Sequence, residues 1–217
     1  MGQQVEQTGE RRHSREEVEA ILRDWRSHEW QVQGFGMLRT YLDGPGEPRL
    51  QVWDQRLACW GNNAIHDHPW AFESTTYAGL LFNQRFDIVP VQRNVPSLGN
   101  GHMTDIIPGT RGGQLSERPV LPCTIYPLAV EVYALGDRYS QHHREMHLTR
   151  YTQGTVTLIT RHDREEQDIA RVAWFGEPDE QPPFVNPYPP TLSLVETVIG
   201  DTLASWWLGA TSGGSRP

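Results

Sequence analysis

From residue 35 to residue 175, short runs of β-branched and aromatic residues alternate with clusters of Gly, Pro, Asn and Asp, and no segment of helical periodicity intervenes. Strands at this spacing, without helices between them, predict an antiparallel sandwich or barrel. The runs cover residues 35–42, 50–60, 75–89, 104–107, 119–126, 130–135, 145–151 and 155–161. Residues 90–100 and 108–113 are expected to be loops, and the glycine-rich second one could act as a lip or lid. The 20 glycines and 16 prolines agree with many turns between short elements.

Helical patterns appear only at the two ends. Ser14-Arg15-Glu16-Glu17 reads as a capping box, followed by Val18, Ile21, Leu22 and Trp25 at helical spacing, so a helix is expected near 14–28. Residues 176–190 hold six prolines and are expected to form an extended linker. Leu194, Val195, Val198, Ile199 and Leu203 then predict an amphipathic helix over 191–208, with Gly200 as a weak point. Trp206 and Trp207 at its end suit either core packing or a subunit interface. Residues 1–12 are expected to form a disordered polar tail and 209–217 a flexible one. The domain expected between them covers 13–175.

Composition removes several function classes. The 217 residues carry a formal net charge of −8, and no Lys/Arg cluster offers a nucleic-acid footprint or an attraction to anionic membranes. No apolar run approaches the roughly 18 residues that a membrane span requires. The first residues lack the apolar stretch of a secretory signal, so a cytoplasmic protein is expected. Its two cysteines, Cys59 and Cys123, are expected to be free thiols. Hydrophobic residues at 37% supply a real core.

The chemistry is concentrated in Ile65-His66-Asp67-His68-Pro69. Residues i and i+2 of a strand point to one face, so an extended segment projects His66 and His68 together and Asp67 away. Pro69 predicts a turn, and Glu73 returns on or before the next strand. Two imidazoles and a carboxylate suit a first-row divalent ion: iron, manganese, nickel or zinc. A further ligand is expected from residues 136–147, where His142, His143 and His147 are the candidates. His147 heads a strand, and His143 shares its parity.

The spacing resembles a known pattern. Gly61, four residues, His66-x-His68, four residues, Glu73, five residues and Gly79 are similar to the first cupin motif. Gly136, with His147 eleven residues on, has the spacing of the second motif, although that motif's usual proline and glycine are replaced by His142 and Arg144. The resemblance implies an all-β cupin barrel (a double-stranded β-helix, or jelly roll) with an N-terminal and a C-terminal helix, and it favours His147 as the distant ligand. Cys59-Trp60-Gly61 and Ile65-His66-Asp67-His68 further resemble the cysteine dioxygenase-like cupins. That likeness implies an Fe(II) held by His66, His68 and His147. Glu73 stands where those enzymes have cysteine or glycine, and their late-strand Ser-His-Tyr trio falls on Thr157, Ile159 and Arg161, where none is kept. Their substrate-carboxylate arginine has no assigned counterpart. The fold and metal site are therefore carried over, and the cysteine substrate is not.

The expected metal ligands are His66, His68, Glu73 and His147, around one divalent ion, with Fe(II) favoured over Mn, Ni or Zn. Glu73, Tyr133 and Arg85 are the candidate catalytic groups, and Tyr139 could also line the mouth. Trp70, Phe72 and Tyr77 are expected in core or pocket wall, Cys59 in core and His102 on a surface loop. An oxygenase acting on a small molecule is the favoured reading. A redox-neutral isomerase, lyase or hydrolase, with free Glu73 as general base, is the alternative, followed by a non-catalytic ligand-binding cupin. The protein is expected to be a homodimer.

Overall fold

The computed structural model describes residues 13–42, 48–58, 65–91, 101–109, 112–115, 119–164, 169–180 and 187–206. In chain order the elements are α1 (Arg15–Arg23), β1 (Gln31–Gln33), β2 (Phe35–Tyr41), β3 (Arg49–Ala58), β4 (Ile65–His66), β5 (Trp70–Ala78), β6 (Leu81–Pro90), β7 (Gly101–Gly109), β8 (Gly112–Leu115), β9 (Leu121–Tyr133), β10 (Arg138–Gln141), β11 (Met146–Tyr151), β12 (Thr155–Arg164), β13 (Ala170–Phe175) and α2 (Leu192–Ser205). The described chain is mostly β, as its texture predicts.

Two sheets organise these strands. One is six-stranded, in the order β1-β2-β3-β12-β5-β10. The other runs β13-β4-β11-β6-β9-β7-β8 and closes on itself, because β13 also pairs with β7. The result is a closed six-strand antiparallel barrel, β13-β4-β11-β6-β9-β7, beside the open sheet. Within this pattern β3-β12-β5-β10 is set beside β4-β11-β6-β9. That interleaving of early and late strands is compatible with a jelly roll.

Each sheet surface has its own core. Val18, Leu22, Val195, Val198, Ile199 and Trp206 from the helices pack on Leu38, Leu50, Val52, Val156 and Leu158 of the six-stranded sheet. The opposite face of that sheet contributes Met37, Trp53, Phe72 and Ile159 to a second cluster, with Leu81 from the barrel. A third cluster, Ile65, Phe86, Met103, Cys123, Ile125, Met146 and Ala173, comes from barrel strands. The strand period of two keeps these cores apart. Leu50 and Val52 face the helices, while Trp53 faces the barrel.

Local signals explain most boundaries. Ser14 and Glu17 form the reciprocal capping box, at 3.2 Å from the Glu17 amide to Ser14 Oγ and 2.7 Å from the Ser14 amide to Glu17 Oε2. Helix α1 ends at Arg23, short of the expected 28, and a single 3-10 turn (Trp25–Ser27) completes the segment. Helix α2 starts on Thr191, whose side chain accepts from the Leu194 amide. The expected strand over 75–89 is two strands, β5 and β6, because Gly79 at φ +71° turns the chain between them. The runs at 119–126 and 130–135 join into the single strand β9, whose register with β6 shifts between Gln84 and Phe86. Strands β1, β4, β8, β10 and β13 lie outside the sequence-predicted runs, and the loop expected over 108–113 is in part a hairpin, since Pro108 and Gly109 of β7 pair with Gly113 and Gly112 of β8.

Several expectations concern residues outside those described: the terminal tails, Cys59, Trp60, Gly61, Trp207 and residues 181–186 of the linker. Near the linker's end Tyr188 exchanges backbone hydrogen bonds with Val32 at 2.8 and 3.1 Å. Cys123 is a buried free cysteine, and burial pushes its thiol up to about 11. Among the described residues no helix is long and apolar enough to cross a membrane.

The α2 contact should dominate the stability of the six-stranded sheet's outer face. Ile199 is 0% exposed. Ile199→Ala is expected to cost about 2–5 kcal/mol in urea unfolding, against less than about 0.5 kcal/mol for a change at exposed Glu196.

Candidate metal centre

His66, His68 and His147 come together between the two sheets. Each offers a ring nitrogen, and these atoms all lie within 4.8 Å of one another. Strand β4 carries His66, the turn after it carries His68, and β11 brings His147 into direct register with His66. His147 Nε2 and His68 Nε2 are 3.2 Å apart. Ile65 and Met146, next to two of these histidines, point the other way into the barrel core, so the histidines face the six-stranded sheet.

Aromatic rings from the facing sheet wall the group. Phe35 of β2 stacks on His66 at 4.6 Å between centroids, and Trp70 of β5 stacks on His68 at 5.0 Å. Phe72 meets His68 edge-on at 5.5 Å and lies 6.4 Å from His147. His66 and His147 are buried and His68 is partly exposed, so the group opens on the His68 side.

Both His68 and His147 are held well below the usual imidazole range. Burial is the larger cause for each, and the neighbouring ring of His66 adds to it. His68 is lowered further by His147, Arg49 and Arg161, and His147 by Arg85. Neutral rings present lone pairs, the form a metal ion requires. His147 Nδ1 donates a hydrogen bond to Asn83 Oδ1 at 2.8 Å. That bond fixes the tautomer with Nε2 free to point at His68, as an outer partner of a metal-ligating histidine does. Asn83 is 0% exposed, and its amide reaches Gln141 Oε1 at 3.4 Å. The donor set and its outer support therefore fit a divalent metal ion.

Asp67 anchors the motif from behind. It is 0% exposed and accepts from the Arg171 backbone at 2.5 Å and from Arg171 Nε at 2.6 Å. Its own amide donates to Arg171 O at 3.1 Å. Arg144 completes the backing. Its amide donates to His68 O at 3.2 Å, and its Nη1 donates to Ile169 O at 2.7 Å. Arg144 has φ 66°, the left-handed conformation that a glycine would adopt without strain. The turn geometry is thus kept at a position where the second motif usually has that glycine.

Glu73 is not brought to the histidines. On β5, Phe72 faces the histidines and Glu73 takes the opposite face. Thr75 pairs directly with Leu158, which packs beneath the helices, and Glu73 two residues away shares that side. The group is three histidines, and the inward place beside them belongs to Phe72. His142 and His143 are exposed in the turn between β10 and β11. His102 lies on β7 with its ring near Trp174 and Nδ1 2.8 Å from Gly176 O.

The other expected groups form a separate network. Tyr133 donates to Glu131 Oε2 at 2.8 Å and stacks on Tyr139 at 4.3 Å. Arg85 pairs with Glu131 at 3.1 Å and Glu145 at 3.3 Å. Arg85 is in register with His147, so it adds positive field there while its own guanidinium is engaged. Tyr77 lies on the helix face and donates to His13 O at 2.7 Å. Asn83, Phe35 and the Asp67–Arg171 pair escaped the sequence reading, because each acts through a partner 64 or more residues away or on a strand that is not adjacent in sequence. The parity of Asn83 with Leu81 on β6 was the one local sign.

No family model matches the chain, and no curated protein matches it. The β-rich fold with its histidine triad is compatible with a cupin.

Asn83→Ala should weaken Zn(II) or Fe(II) binding by about 10–100-fold, with an unchanged far-ultraviolet circular dichroism spectrum. Equal metal affinity in the variant, measured by competition with a chromogenic chelator, would remove Asn83 from the centre.

Proposed function

We propose that this chain is a mononuclear metal-dependent enzyme of the cupin type, with Fe(II) as the favoured ion and oxygenation of a small molecule as its reaction. The observation that carries the reading is the convergence of three histidines between two sheets, with His68 and His147 held well below the usual imidazole range and His68 partly exposed. Three protein ligands leave coordination positions free, whereas a structural site is closed by four. Bound Fe(II) would supply adjacent positions for dioxygen and a substrate heteroatom and a path for electrons between them.

The protein's own contribution is placement and exclusion. Asn83 holds the proton on His147 Nδ1 and keeps Nε2 available. Asp67, fixed by Arg171, holds the His-x-His segment extended, so both rings project to one side. Phe35, Trp70 and Phe72 keep bulk water from three sides of the group. The redox-neutral alternative relied on Glu73 as a general base beside the ion. Glu73 occupies the helix-bearing face, so that support falls away.

The protein purified without a chelating tag should carry close to one metal ion per chain, and His66→Ala with His68→Ala should abolish it. The iron-loaded protein should consume dioxygen when a substrate is supplied. Metal retained by the double variant, or anaerobic turnover of that substrate at the aerobic rate, would contradict the reading.

We also propose a homodimer formed along β9. Residues 124–133 of that strand pair only with β6 among the described residues, which leaves the other edge open. Leu128, Val130 and Val132 beside it are each about half exposed. An apolar strand edge is a template for a second strand, and a two-fold axis lets it pair with its own copy. Light scattering should give twice the monomer mass, and Val130→Lys should halve it.

A further inference from the structure

Two buried side-chain amides in series tie the histidine group to the facing sheet. Gln141 lies on β10, at the edge of the six-stranded sheet, in register with Phe72 of β5. Asn83 lies on β6 of the barrel, in register with Thr149 of β11 and Glu131 of β9. Gln141 is 1% exposed and Asn83 0%. Asn83 Nδ2 donates to Gln141 Oε1 at 3.4 Å, and Gln141 Nε2 donates to the Glu145 backbone carbonyl at 3.2 Å. The series therefore runs from Glu145 O through Gln141 and Asn83 to His147 Nδ1.

The direction of this series is fixed at one end. A backbone carbonyl accepts and cannot donate. Glu145 O therefore takes the amino group of Gln141, which leaves Gln141 Oε1 toward Asn83. Asn83 must then turn its amino group to Gln141 and its Oδ1 to His147. An amide oxygen only accepts, so His147 carries its proton on Nδ1. With its proton there, His147 turns the Nε2 lone pair toward His68 Nε2, 3.2 Å away. Turning either amide over would set like groups against each other where an unpaired polar group is costly. The anchor is itself held. Glu145 Oε1 accepts from Arg85 at 3.3 Å, and its Oε2 accepts from the His142 amide at 3.1 Å.

We propose that Gln141 is a positioning residue of the histidine centre: from the opposite sheet it fixes which way the Asn83 amide points, and through Asn83 it selects the His147 tautomer that offers Nε2 to a metal ion. The proposal rests on the metal reading above and adds to it how the two sheets together prepare one ligand. Without Gln141, Asn83 is free to present either end of its amide to His147, and either ring nitrogen then carries the proton. A proton on Nε2 blocks that nitrogen as a ligand. Apparent metal affinity falls by the fraction of protein left in the competent form, so a fraction of about one half to one tenth weakens it about two- to tenfold. A carboxylate in place of Asn83 has no donor end and needs no such orientation.

The test reads the tautomer directly on the full chain. Nitrogen-15 chemical shifts and long-range proton–nitrogen couplings of the histidine rings are recorded on metal-free protein at about pH 8, above the ordinary imidazole range. His147 should carry its proton on Nδ1 as a single form. Gln141→Met, similar in length but without an amide, should show both tautomers with an unchanged far-ultraviolet circular dichroism spectrum. Its Zn(II) affinity, measured by chelator competition, should fall about two- to tenfold. Gln141→Ala is the second variant, for the case that methionine packs badly. Adding Asn83→Asp to either variant should restore a single Nδ1-protonated form, which a role of Gln141 in packing alone would not produce. A proton on Nε2 of His147 in the unaltered protein overturns the proposal. So does a single Nδ1 form in a folded Gln141 variant, a mixture that Asn83→Asp leaves unchanged, or equal Zn(II) affinity in a variant with mixed tautomers. The expected tautomers in a protein that binds no Zn(II) support the action of Gln141 on His147 and refute the metal reading.

Discussion

The barrel closes through β13. That short strand pairs with β4 on one side and β7 on the other, and its Arg171 neutralises Asp67 between the two histidines of the motif. One pairing therefore removes two sheet edges and fixes the direction in which His66 and His68 project. Without it the His-x-His segment keeps only the two-residue strand β4 and the bond from the Arg144 amide to His68 O. A buried carboxylate also needs its cation, and β13 brings Arg171 to Asp67 at 2.6 Å, with Arg144 Nη1 at 3.9 Å.

From that closure the rest follows by layers. The helices cover one face of the six-stranded sheet with Val195, Val198, Ile199 and Trp206. The other face meets the barrel and mixes aromatic packing with buried polar groups. Thr157 there bonds both Gln51 and the indole of Trp53, at 3.0 and 2.9 Å. Such a face is expensive to leave unsatisfied, and the hydrogen bonds among Asn83, Gln141, Gln51 and Thr157 offset that cost. The histidines lie in this polar middle layer, where neutral imidazoles are stabilised and charged ones are not.

Much of this was legible in the sequence. The strand texture, the capping box at Ser14, the helix after Thr191 and the shared face of His66 and His68 are local properties with periods of two or 3.6 residues. His147 was favoured among three candidates by the resemblance to the second cupin motif, and it does lie with the pair. Glu73 shows where spacing misleads. Counting residues brings it back near the motif, but the hydrogen-bond register of β5 against β12 decides which of Phe72 and Glu73 faces inward. A one-residue difference in register exchanges the two faces, and nothing local to 69–73 specifies it.

The sequence by itself determined that the chain is a set of short strands between two capped helices, and that two histidines project together. Period and capping are set by neighbouring residues, so they survive without knowledge of the fold. The tertiary structure alone decided that Asn83 orients His147, that Arg171 answers Asp67, that Phe72 takes the inward place, and that Gln141 meets Asn83 from the opposite sheet. Each of these depends on strands far apart in sequence meeting in a particular register. That register is chosen by the summed burial of several cores, a property of the whole sheet and of no single segment.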